Sequence, residues 1–280
     1  MGISAKEVAA LRKDTGAGMM DAKKALEEND GDVDGARTWL REHGLTQAGK
    51  RAGRAADDGA VDVMVDGGVG ALAELTCETD FVAKGSEFAE MLDEIVHAVA
   101  EHGDDGIDGR PLRDSTVGEV VKEAAGRLGE NIGLGRVARF TSDDGLIDSY
   151  KHIQNERGTI GVLVELGGVD PSSGEARDVA HDIALHIASA APGYVRRDDV
   201  PTEIVEAERE VLENLSRNEG KPEQALPKIV DGRMNGWYKE RVLLDQAFVK
   251  EPKRSVGSLL EELGGDATVR RFVRVKIGEE

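Results

Sequence analysis

GAVDVMVDGGVGALAELTCETDFVAKGSEF, residues 59–88, carries two periodicities and the change from one to the other. Val61, Val63 and Val65 recur at every second position, Asp66-Gly67-Gly68 supplies a turn, and Gly70–Leu75 forms a second apolar run. A β-hairpin is predicted. From Ser86 the interval lengthens: Phe88, Met91, Leu92, Ile95 and Val99 recur at helical spacing, which predicts a helix over 86–101. Between hairpin and helix the chain turns acidic and places Phe81 beside Asp80. With five Phe, three Tyr and two Trp in 280 residues, a folding chain is expected to keep each ring for its core. In one reading Asp80 caps a helix while Phe81 folds inward. In the other the ring is held outward as a contact. The residues alone leave both open.

A further helix is predicted over 117–128, and the strand, strand, helix unit then recurs. Gly145-Leu-Ile-Asp148 matches Gly59-Ala-Val-Asp62, and Gly161-Val-Leu-Val-Glu-Leu166 matches Gly70-Ala-Leu-Ala-Glu-Leu75, followed by the helical stretch EARDVAHDIALHIASAA. RRFVRVKIG supplies a last strand. The fold class predicted is α+β, with two related antiparallel-sheet subdomains covered by helices, one over 59–140 and the other over 141–200 and 241–280. Within the second, residues 201–240 change pattern. Ile204, Ala207, Val211 and Leu215 form one helical stripe, and Leu226, Ile229, Val230, Met234 and Trp237 form another beyond Glu219-Gly-Lys-Pro222, so an inserted antiparallel helical hairpin is expected, its second arm starting or kinking at Pro227.

Residues 1–45 read as a separate three-helix module. Ser4-x-x-Glu7 has the form of a capping box, Asp14–Gly18 breaks the first helix, and a second runs over 19–28. The third carries Val33, Ala36, Trp39 and Leu40 on one face. Residues 46–58 are small, polar and glycine-rich, the composition of a flexible linker. Gly44, Gly49 and Lys50 imitate part of a phosphate-binding loop. Arg51, however, stands where a magnesium-binding hydroxyl belongs, and no strand precedes it.

The charge balance, 55 acidic against 36 basic side chains for a net −19, disfavours direct nucleic-acid binding, which rests on a basic surface. No apolar run approaches the roughly 18 residues of a membrane span, so no membrane partner is expected. Cys77 is the sole cysteine and the N-terminus becomes charged too early for a signal peptide; both fit a cytoplasmic protein. His181 and His186, five apart on a helix, point about 140° away from each other and do not share a metal. No spacing singles out a catalytic residue, a metal site or a cofactor site, so no enzyme chemistry is expected. An adaptor that binds varied clients, with the hairpin used for dimerisation, and a nucleotide hydrolase built on Gly44–Lys50 stand as the rival readings.

LRKDTGAGMMDAKKAL (11–26) and ELTCETDFVAK (74–84) resemble the two characteristic motifs of bacterial elongation factor Ts, the nucleotide-exchange factor for elongation factor Tu. The resemblance covers nearly the whole chain and includes GENIG and GRMNGWYKE. It implies a module like a ubiquitin-associated domain at the N-terminus, whose Leu11, Arg12, Met19 and Met20 face the partner's GTPase domain. Met19 and Met20 suit that role because two adjacent residues cannot both face a three-helix core and methionine packs adaptably. It implies further that Thr79, Asp80, Phe81 and Val82 press on the partner near its magnesium and phosphate site, that the segment Gly129-Glu-Asn-Ile132 supports them with Ile132 packing nearby, and that Tyr150 and His152 reach another of its domains. Elongation factor Tu, GDP-bound and nucleotide-free, is the partner so implied, with monomer and homodimer both left open. Thr76 replaces the family's Asn or Val, and a contact through the further C-terminal helical module of some members is not expected here.

Overall fold

A computed structural model describes residues 3–279. Ser4 opens helix α1 (Ala5–Thr15) with a capping box, its N–H donating to the Glu7 carboxylate at 2.8 Å while Glu7 N–H donates to its hydroxyl, and Gly16, at φ 72°, ends it. Helices α2 (Met19–Glu28) and α3 (Val33–Arg51) complete a module whose core is Val8, Leu11, Ala22, Ala25, Leu26 and Ala36, flanked by Trp39 and Leu40. Val33, expected on the inner face, lies outside at the first turn of α3 and is 43% exposed.

The expected linker over 46–58 is corrected by the structure: α3 continues through Arg51, and only residues 52–57 lack regular structure. Small residues that read as linker composition instead let two helices approach closely. Gly44 of α3 meets Gly126 of α6 (Val117–Leu128) backbone to backbone, so that a Cβ on Gly126 would lie 2.8 Å from the Gly44 carbonyl carbon. Ala48 is buried among core residues, and Arg41 pairs with Glu123 at 2.7 Å. The same helical conformation leaves Gly44–Lys50 no loop with which to cradle phosphate.

Strands β1 (Asp58–Asp66) and β2 (Val69–Cys77) form the first hairpin, paired antiparallel from Asp58↔Cys77 to Asp66↔Val69 around Gly67-Gly68. The chain then runs through α4 (Asp80–Ala83), α5 (Ser86–His102), the small ladder of β3 (Pro111–Leu112) with β4 (Ser115–Thr116), and α6. It returns as β5 (Gly133–Thr141) on the free side of β2, giving the order β1-β2-β5. The second half repeats the plan. A hairpin of β6 (Leu146–Gln154) and β7 (Arg157–Gly167) precedes α7 (Gly174–Ala190), and after an excursion the chain passes β8 (Ala247–Phe248), β9 (Glu251–Ser255) and α10 (Val256–Leu263). Strand β10 (Thr268–Lys276) then pairs with β7 on the side away from β6. The α+β class and the duplicated sheet are as expected; β5 was not, because its half-buried Arg136 and Arg139 interrupt the apolar alternation.

The two sheets stack face to face, and the matched residues of the repeat meet there. A Cβ on Gly70 would lie 2.7 Å from Ile147 Cγ2; one on Gly161 would lie 2.7 Å from Val61 Cγ2. Since Gly70 corresponds to Gly161 and Val61 to Ile147, each contact is the image of the other, which defines a pseudo-twofold axis between the sheets. The polar anchors obey it too. Buried Glu74 on β2 accepts from Arg136 N–H and Nε of β5, both at 3.0 Å, and buried Glu165 on β7 accepts from Arg271 Nε of β10 at 2.7 Å. Helices α5 and α6 seal the outer face of the first sheet around Phe88, Ile95 and Val117; α7 and α10 seal the second around Ile183, Ile187 and Leu260. The layers are therefore helix, sheet, sheet, helix.

The excursion is the helical hairpin, α8 (Thr202–Asn218) and α9 (Leu226–Arg241), with Pro227 in the first turn of α9. Leu226, Val230, Met234 and Trp237 of α9 are buried as expected, but α8 turns a different face inward. Val205, Leu212 and Ser216 pack, while Ile204, Ala207, Val211 and Leu215 lie exposed. Arg209–Asp231 at 2.7 Å and Arg233–Glu219 at 2.6 Å pair across the two arms.

Candidate partner-binding site

A four-residue helix does not hold itself together, since one turn fixes several dihedrals for one hydrogen bond. Helix α4 is held from outside. Thr79 is its N-cap, the hydroxyl accepting from Val82 N–H at 3.5 Å and donating to Glu130 Oε1 at 2.5 Å. Glu130, between α6 and β5, also accepts the backbone N–H groups of Glu78 and Thr79, each at 3.0 Å. Glu78 returns the bond, its carboxylate taking Asn131 N–H at 2.7 Å, and Asn131 Nδ2 donates to Arg54 O at 2.7 Å. The two segments therefore clasp each other through reciprocal carboxylate to amide bonds.

Below the clasp the platform is apolar. Cys77, Ala83 and Ile132 are buried and Val82 half-buried in the core of the first subdomain. Cys77 Sγ donates to Thr79 O at 3.2 Å, and burial pushes its thiol up to about 12, with Glu130 and Asp58 adding to the effect. Arg157, reaching across from the second sheet, pairs with Asp58 and donates to Gly59 O. Asp80 does not cap the helix. It sits in the first turn and pairs with Lys84 Nζ at 2.6 Å, and that hydrogen bond holds its carboxyl below the usual carboxylate range.

Phe81, on this braced turn, is 84% exposed, the most exposed large apolar side chain among the described residues. The inward reading of the ring is thereby excluded for the free chain. Met20 and Met19 follow the same pattern at 72% and 49%. The turn before them lies against the first subdomain: a Cβ on Gly16 would lie 3.6 Å from Arg127 Cδ and 3.9 Å from Glu87 Oε2. Arg127 Nε in turn bonds Glu87, at the start of α5, at 2.7 Å.

The remaining candidates divide. Arg12 is exposed, but Leu11 is 2% exposed in the core of the N-terminal module, which corrects its expected role as a contact: its side chain holds α1 against α2 and α3. Tyr150 and His152 stand apart from the platform on β6, with Tyr150 OH 3.4 Å from His152 Nδ1 and the Tyr150 ring edge-on to His181, centroids 6.0 Å apart. The resemblance pointed to the segment 129–132 as a support, but the individual bonds of Glu130 and Asn131 and the pairing of Lys84 were not foreseen, because their partners are fixed only by the fold. One local signal existed for Glu130. It follows the α6 stop at Gly129, where a carboxylate gains nothing from the helix dipole, so its placement calls for another reason. Among the described residues no group of His, Cys, Asp or Glu is arranged to hold a metal, and no helix is long and apolar enough to cross a membrane.

Fold and site together define a class of protein: a duplicated α+β core that displays an aromatic side chain on a polar-clasped turn, beside a helical module with exposed methionines. The family model described as Elongation factor TS matches residues 78–279. Relatives named Elongation factor Ts include that of Micrococcus luteus, 44% identical over 280 residues and 98% of each chain. That of Acidothermus cellulolyticus is 46% identical over 98% of this chain and 97% of its own, and that of Mycobacterium tuberculosis 45% identical over 99% and 98%. The chain belongs to the elongation factor Ts family.

Proposed function

We propose that the protein is a guanine-nucleotide exchange factor without covalent chemistry: in the cytoplasm it binds elongation factor Tu carrying GDP, promotes GDP release, and holds the nucleotide-free state until GTP binds. What carries the reading is Phe81, a large ring left 84% exposed on a turn whose flanking backbone is held by Glu130 and Thr79. Leaving such a ring in water costs stability that burial in the chain's own core would recover. Burial in a partner recovers it elsewhere.

Exchange follows from linkage: a factor that binds the nucleotide-free partner more tightly must weaken nucleotide binding by the same ratio. Burying one Phe removes about 150–250 Å² from water, worth roughly 4–6 kcal/mol at most before ordering costs. Coupling energies of about 1–3 kcal/mol are typical, so one ring supplies enough to drive a large part of the displacement. The partner's magnesium is the point of attack, since octahedral coordination of a small ion tolerates little movement of its ligands. The platform of Thr79, Asp80, Phe81 and Val82 delivers the ring. Arg12, Met19 and Met20, on a module we liken to a ubiquitin-associated domain, and Tyr150 and His152 on the second subdomain, add further contacts.

Stopped-flow release of a fluorescent GDP analogue from elongation factor Tu tests the reading. Phe81→Ala is expected to keep most of the complex but slow stimulated release severalfold or more. Unchanged release removes Phe81 from the mechanism.

A further inference from the structure

We propose that Glu130 is the positioning residue of the exchange platform: its carboxylate, reaching from the α6–β5 connection, fixes the Glu78–Thr79 backbone so that Phe81 is presented in one orientation before any partner arrives. The inference rests on the exchange reading above and adds a residue that touches neither the ring nor a partner surface. Three donors converge on the one carboxylate, two of them backbone N–H groups at 3.0 Å and the third the Thr79 hydroxyl at 2.5 Å. Thr79 passes the constraint on, because the oxygen that donates to Glu130 is the one that caps Val82 N–H. The chain of bonds ends two residues from the α4 start and encloses Phe81 within it.

Other anchors do not substitute. Cys77 bonds the Thr79 carbonyl, not its amide, and Asp80 is taken by Lys84. Without Glu130 the amides of residues 78 and 79 turn to water and α4, a single turn, frays. The ring then samples many orientations, and the rate it supports falls by the fraction of time it spends in the competent one.

The test combines kinetics with amide exchange on the full chain. Glu130→Ala removes all three bonds and is expected to slow stimulated GDP release about tenfold or more, the equivalent of about one charge-assisted hydrogen bond. Glu130→Gln keeps an acceptor for both amides and is expected to restore most of the rate. Glu130→Asp, one methylene too short to reach all three donors, serves where the alanine variant does not fold, and is expected to fall between. In a Phe81→Ala background, Glu130→Ala is expected to add no further slowing. Equal slowing in both backgrounds, or a Glu130→Ala rate equal to that of the unmodified chain, overturns the proposal. Hydrogen exchange separates this from failure of the exchange reading itself. In Glu130→Ala the amides of Thr79 and Val82 are expected to exchange at least about tenfold faster while Leu72 in β2 is unchanged. If Phe81→Ala leaves release unaltered, the exchange reading falls, and unchanged protection at Thr79 and Val82 then overturns the clasp independently.

Discussion

Phe81 and Cys77 lie four residues apart, one in α4 and the other at the end of β2, with opposite exposures, and their surroundings account for both. Cys77 is fully buried with its thiol pushed up to about 12, so it carries no thiolate at neutral pH. Alkylation by iodoacetamide at pH 8 is expected to be negligible in the native protein and rapid in denaturant; fast native labelling would show the loop to be open. His186 gives a second test. It is buried, its Nε2 donating to Gln246 Oε1 at 2.9 Å and its Nδ1 accepting from Val249 N–H at 3.3 Å, and burial holds its pKa below the ordinary value. Both states are neutral above about pH 6.5. As pH falls below that, the unfolded chain binds a proton the native one refuses, so stability declines toward the depressed native pKa. The urea midpoint is expected to drop between pH 7 and 5, and His186→Gln to flatten that drop by up to about 1.4 kcal/mol per pH unit. Sequence made Phe81 conspicuous as an aromatic beside a charge. It did not show which way the ring points, because Glu130 acts across a gap of 51 residues.

The helix and strand patterns that sequence made legible are those whose cause is local. The capping box of α1, the Gly16 and Gly129 stops and both hairpins follow from side chains within a few positions of each backbone group they satisfy. Where a neighbour in space decides, sequence misled. The second half of α3 reads as linker because small and polar residues dominate it, yet two of the small ones, Gly44 and Ala48, are what allow it to cross α6. Gly126→Val would drive a side chain into Gly44 backbone that has no room to yield. We expect it to detach the N-terminal module, seen as faster amide exchange over residues 41–51 and a larger radius of gyration, while the two sheets melt nearly as before. Intact protection of α3 would contradict the crossing. The same principle explains α8: its most continuous apolar stripe faces water because Val205, Leu212 and Ser216 form the face packed in the hairpin.

Across the molecule the duplication organises everything else. Two sheets related by a pseudo-twofold axis share an interface in which Gly70 and Gly161 admit the opposing Ile147 and Val61. A side chain at either glycine forces the sheets apart, so Gly161→Val is expected to lower stability by about 1–3 kcal/mol in urea denaturation; an unchanged midpoint would show the interface to be looser than described. The repeat was visible in matched hexapeptides. Its third strands were half visible, since β10 has an apolar alternation and β5 does not. The structural use of the duplicated core is to give α4 and the α6–β5 connection a rigid base, so that the ring of Phe81 is spent outside the fold. A structure of the complex with nucleotide-free elongation factor Tu tests that claim most directly. The account predicts Phe81 buried between elements of the partner with the Glu130 bonds intact; a ring still in water, or folded back into its own subdomain, would contradict it.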